Sequence, residues 1–75
     1  MKRYFFHVSG SGWQPDSIGT EMNGDEDARC AAIRLAGEIM CYEPQQLAEG
    51  QMNIDLHDQA MEFRMRIAVV AQKLA

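Results

Sequence analysis

Seventy-five residues make one domain, spanning 1–75, and not two. A formal net charge of −4 argues against a protein whose main task is to hold nucleic acid, since that calls for a basic surface. No apolar run approaches membrane-spanning length, and Lys2 and Arg3 lead straight into a strand-like run rather than a signal sequence, so the expectation is a cytoplasmic protein with no membrane partner.

A chain this short buries only about 60–65% of its unfolded surface, so its core is thin and large side chains matter. Tyr4, Phe5, Phe6, Trp13 and Phe63 are the expected contributors, with the six methionines filling irregular gaps.

Lys2 to Val8 reads as a strand, with Tyr4, Phe6 and Val8 on one face and Arg3, Phe5 and His7 on the other. Bulk on both faces predicts a central position. Ser9-Gly10-Ser11-Gly12 and Gln14-Pro15-Asp16 are turn signals, and the loop between them carries Trp13. In so small a protein the tryptophan is expected to fold back as a lid on the core. Ile18 to Met22 is a short second strand in which Gly19 permits a bulge.

Asp25 to Tyr42 is the one sustained helical pattern. Ala28, Ala32, Leu35, Ala36, Ile39 and Tyr42 form a stripe, while Asp27, Arg34 and Glu38 point away. Asn23 or Asp25 is the expected N-cap. Asp25, Glu26 and Asp27 suit the positive end of the macrodipole, and Pro44 marks the stop. A helix of that length is a rod of about 27 Å, enough to cover one face of a small sheet. Pro44 to Gly50 connects onward with room for one more helical turn. Met52 to His57 alternates, with Met52, Ile54 and Leu56 inward and Asn53, Asp55 and His57 outward. Asp58-Gln59-Ala60 is a turn without the glycine a tight hairpin usually wants. Met61 to Ile67 alternates again, with Met61, Phe63, Met65 and Ile67 inward and Glu62, Arg64 and Arg66 outward. Ala68 to Ala75 is expected to fray or to form a short helix.

The order β-β-α-β-β predicts an α+β fold: a two-layer arrangement with a four-stranded antiparallel sheet and one helix packed on one face. The predicted strand order is 2-1-3-4.

Cys30 and Cys41 lie on nearly the same side of the helix but about 16 Å apart along its axis. A disulfide needs Cα atoms within roughly 7 Å, so the two thiols are expected to be free.

The chain resembles a small bacterial family, domain of unknown function 6894. An opening Arg3-Tyr4-Phe5-Phe6-His7-Val8 strand, a D-x-x-G-x-E turn at Asp16-Ser17-Ile18-Gly19-Thr20-Glu21, an alanine-rich helix from Asp27-Ala28-Arg29 through Ala32 and Ala36, and a hairpin from Ile54 to Ile67 carry the resemblance. Asp58-Gln59-Ala60 departs from the pattern, where a D-G turn is usual, and leaves the register of the last hairpin open. The family supplies no activity and no catalytic residues. In architecture the chain is also distantly similar to HicB-like antitoxins.

Catalytic chemistry is hard to build from these residues. Asn23-Gly24-Asp25 lacks the spacing of a phosphate loop and its acids would repel a phosphate. The cysteines fall on the helix side away from the sheet, out of reach of an imidazole partner. His7, His57 and Asp55 lie outward on strands expected to be neighbours; they could hold a divalent metal, and the plainer alternative is two solvated histidines on an open face. No catalytic, cofactor or metal residues are therefore assigned, and an enzyme is not expected. The expected interaction surface is the outer sheet face with Arg3, Phe5, His7, His57, Arg64 and Arg66. These residues predict a non-enzymatic interaction module that pairs with itself as a homodimer, or with an unidentified protein. The alternative is a HicB-like antitoxin or a nucleic-acid-linked regulator, since exposed aromatics with flanking cations can also stack bases.

Overall fold

The computed structural model describes residues 1–74. Its elements run β1 (Lys2–Ser9), β2 (Trp13–Gln14), β3 (Thr20–Met22), α1 (Asp25–Tyr42), a 3₁₀ turn (Pro44–Leu47), β4 (Gln51–Asp58) and β5 (Phe63–Val70). All strand pairs are antiparallel. The order is β2-β1-β4-β5, with β3 also on β1. The predicted order 2-1-3-4 is therefore the observed one, with the two-residue β2 added on the same side of β1 as β3. The fold is α+β, and α1 covers one face of the sheet.

Alternation places Tyr4 and Val8 of β1 and Met52, Ile54 and Leu56 of β4 beneath the helix, all buried. From α1 come Ala28, Ala32, Ala36 and Ile39. Three alanines at helical spacing present almost no side chain, so the backbone of α1 lies close to the strands. The core has two parts. Val8, Met52 and Ile54 meet Ala32, Ala36 and Ile39, while Tyr4 and Leu56 meet Ala28. Half-buried Phe6 packs against both and joins them. Tyr42 lies beyond the contact and is exposed.

Several expectations are corrected by tertiary context. Neither Asn23 nor Asp25 caps the helix: Gly24 holds the N-cap position with no side-chain bond, and the Asn23 amide instead donates to Asp27. The second strand begins at Thr20, and Ile18 is exposed. β5 continues to Val70 because Val69 packs against the core; Ala75, the end of the segment expected to fray, lies outside the described residues. The expected connector turn forms at Pro44–Leu47. Cys30 and Cys41 are free and exposed.

The largest correction is in the last hairpin. Leu56 pairs with Met65 but His57 pairs with Phe63, so Arg64 is an extra residue in a bulge. A bulge reverses the faces beyond it. Phe63 turns to the outer face, Met61 sits exposed in the turn with a positive φ of 64°, and Arg64 swings to the helix side.

Side chains buried against α1 should dominate stability. Ile54→Ala is expected to cost about 2–5 kcal/mol, by transfer and cavity terms together. Arg34→Ala, on the exposed side of α1, should stay within about 0.5 kcal/mol. Chemical denaturation compares them, and equal losses would mean that α1 is rotated on the sheet.

Candidate interaction face

The sheet face opposite α1 carries a row of rings. Phe5 lies nearly parallel to His57, with centroids 5.0 Å apart and planes 16° apart. His7 lies within 20° of the Trp13 plane at 5.7 Å, and Phe63 meets His57 edge-on at 5.5 Å. The two imidazoles touch, Nε2 to Nε2, at 2.6 Å. Their 4.7 Å centroid separation is nearly that contact plus the two ring radii, so they meet edge to edge close to one plane. This is hydrogen-bond geometry.

Backbone partners fix the direction of that bond. The Asp16 N–H donates to His7 Nδ1 at 3.0 Å, so His7 carries its proton on Nε2. The Asp58 carbonyl can only accept, so the His57 Nδ1 that lies 2.9 Å from it carries a proton. The chain of donors is then Asp16 N–H to His7, His7 Nε2–H to His57, and His57 Nδ1–H to Asp58 O. Every nitrogen of the neutral pair is used once. His57 is only 4% exposed, which replaces the expected solvated histidine with a packed one.

Two carboxylates position this face by standing in for backbone acceptors. Between β2 and β3 the outer edge of β1 has no strand beside it. There Asp16 Oδ2 accepts the Phe6 N–H at 3.2 Å, while Oδ1 accepts from Ile18 and Gly19 at 3.1 and 2.9 Å. Burial pushes this carboxyl up, but the N–H groups of Gly19, Phe6 and Ile18 outweigh it and hold the group below its ordinary value of 3.8. Gly19 closes the turn at φ +76°, where a Cβ would lie 2.9 Å from the Tyr4 carbonyl oxygen and from carbons of Arg3 and Phe5. Glu21 then lies 3.8 Å from Arg3. The D-x-x-G-x-E motif is thus a brace for the loop that carries Trp13.

Asp58 does the same for the second hairpin. Its Oδ1 accepts from Ala60 and Glu62, and its Oδ2 from Arg64 at 3.0 and 2.8 Å. Burial pushes Asp58 up, but Arg64 and the two N–H groups hold it down. Arg64 also reaches Asp25 at the start of α1 and Glu62. Asp25 in turn accepts from the buried Tyr4 hydroxyl. Donation to Asp25, burial and the nearby negative charge push the Tyr4 phenol up to about 12.

The expected surface residues therefore divide. Phe5, His7 and His57 come together. Arg3 lies at the rim, donating to the Ile18 carbonyl at 2.8 Å. Arg66 stays on the outer face but is held by both oxygens of Asp55. Arg64 leaves the face altogether, drawn through the bulge to Asp58 and Asp25. Asp55 is engaged by Arg66, and among the described residues no group of three or more His, Cys, Asp or Glu side chains is placed to hold a metal ion, the combination of His7, His57 and Asp55 included. Trp13 is 61% exposed and lies on the ring row, not as a lid on the core. Phe63, 71% exposed, also joins the outer face, and alternation alone placed it inward. Among the described residues no helix is long and apolar enough to cross a membrane.

Fold and face together define a small α+β domain with one layer of helix and an open sheet surface of aromatic rings. A family model described as "Domain of unknown function (DUF6894)" matches residues 3–69, and the chain belongs to this family. The match takes in the opening strand, the Asp16–Glu21 brace, the helix and both strands of the last hairpin. No curated protein and no solved structure matches.

Two measurements test this site. Two-bond ¹H–¹⁵N spectra of the neutral histidines should find the proton of His7 on Nε2 and that of His57 on Nδ1; the reverse pairing would contradict the ring orientations. Acid titration tests the carboxylates. Asp16 and Asp58 are depressed in the folded chain, so the unfolded chain takes up protons first as pH falls. Their stabilisation is present above the unfolded value of 3.8 and is lost as pH falls from there through the lower folded values. Asp58→Asn should flatten the loss of stability in that window, and a variant with the wild-type acid slope would contradict the assignment.

Proposed function

We propose that this protein is a non-enzymatic interaction module that self-associates and presents the sheet face that α1 leaves open as a further contact surface. The observation that carries this reading is the exposure of Trp13 and Phe63 at the two ends of a continuous ring row. Aromatic rings held by neighbouring rings lose little conformational freedom when a partner covers them, and contiguous apolar patches with polar rims are typical of interaction sites. Arg3, near Glu21, and Arg66, held by Asp55, supply that rim.

Charge supports a protein partner over nucleic acid. Single-strand binding needs cations free to meet phosphates along the aromatic platform. Here Arg66 is neutralised by Asp55, Arg64 has turned to the helix side, and the net charge is −4.

Sedimentation equilibrium over a wide concentration range tests self-association. The expected result is a reversible rise from monomer to dimer mass within the micromolar range. A wild-type chain that stays monomeric at high micromolar concentration would remove the reading.

A further inference from the structure

The two edges of this sheet are treated differently. On the β1 side the edge is made of two short pieces, β2 and β3. The gap between them is sealed by Asp16, whose carboxylate takes the Phe6 N–H. Short, interrupted edge strands are a common way to prevent unwanted strand pairing. The β5 edge has no such protection. It is a strand of eight residues, and Ile67-Ala68-Val69-Val70 contains no charge, proline or glycine. Its bulge lies at the other end, at Arg64.

The direction of its backbone groups follows from the ladder. Ala71 donates its N–H to Gly50. Backbone groups alternate along an antiparallel strand, so Met65, Ile67 and Val69 turn theirs toward β4, and Arg66, Ala68 and Val70 turn theirs outward. Among the described residues, no strand or side chain meets these outward groups.

We propose that β5 pairs antiparallel with β5 of a second copy about a two-fold axis at Ala68, which joins two five-stranded sheets into one of twice the width. This rests on the self-association proposed above and names its geometry. At this register Ala68 faces Ala68, and each Arg66 faces a Val70. All three outward residues of each strand then find backbone partners. On the helix side Ile67 comes opposite Val69, both half-buried in one copy, so the pairing extends the core across the axis. Charge agrees. Arg66 brings no free cation because Asp55 holds it, and it faces Val70 rather than its own copy. Centring the axis on Arg66 would instead set two guanidinium groups face to face. The second copy is therefore the occupant that this edge fits. A single strand pair is a small interface, of the kind that weak and reversible contacts use.

Hydrogen exchange and sedimentation together test the pairing. On raising the concentration of the intact chain, the amides of Arg66, Ala68 and Val70 should slow, while those of Ile67 and Val69 stay protected throughout. Val70→Lys and Ala68→Pro should each weaken association by about tenfold or more. An outward N–H is where an edge strand accepts proline, and Val70 is an exposed position, so both variants should keep the fold. Trp13→Glu, at the far side of the ring row, should leave dimer mass unchanged. A dimer lost with Trp13→Glu but indifferent to Val70→Lys would overturn edge pairing while self-association stood. A chain that is monomeric throughout would overturn both. Concentration-independent exchange at Ala68 in a dimer would overturn the edge alone.

Discussion

A single helix can cover only one side of a sheet, and this protein is shaped by that limit. The alanine stripe of α1 settles against β1 and β4 and buries the side chains beneath it. The side chains on the other side have no covering layer, yet they include Phe5, His7, His57 and Phe63. They reduce their exposure by lying against one another: the rings form a row, the imidazoles share a proton donor and acceptor, and Arg66 is neutralised by the facing Asp55. His57 is buried by its neighbours in the same plane rather than by a second layer.

The row depends on backbone geometry that two carboxylates enforce. Asp16 takes an N–H from the edge of β1 and two from its own turn, and its own N–H sets the tautomer of His7. Asp58 organises the opposite hairpin, and its carbonyl sets the tautomer of His57. Each loop thus controls one end of the imidazole pair. The two loops are linked by three hydrogen bonds in series that bypass the core.

How much of this could be read from the chain follows from where local rules hold. The helix, the three long strands and their order follow from period and from the placement of bulky residues, and these put Tyr4, Ile54 and Leu56 inside. Phe5, His7 and His57 were expected on one face by alternation, and they are. Alternation fails at Arg64 because a bulge inserts one residue, and nothing in Phe63-Arg64-Met65 announces it. The cause lies elsewhere in the chain: Asp58 and Asp25 together attract the guanidinium. Trp13 was misplaced for a related reason. A glycine-rich loop leaves its direction undetermined, and here Asp16 and His7 determine it. The D-x-x-G-x-E pattern was visible as a motif, but its meaning as a substitute for strand pairing needed the register of β1.

Trp13 is the sole tryptophan of the chain, and it lies beside His7 rather than in the core. Its emission is therefore an optical reporter of the outer face and the braced loop, while far-ultraviolet dichroism reports chiefly on α1. The two signals view opposite sides of the same sheet. Coincident unfolding curves would show that loop and helix melt as one cooperative unit, and separated curves would give the braced loop an opening free energy of its own.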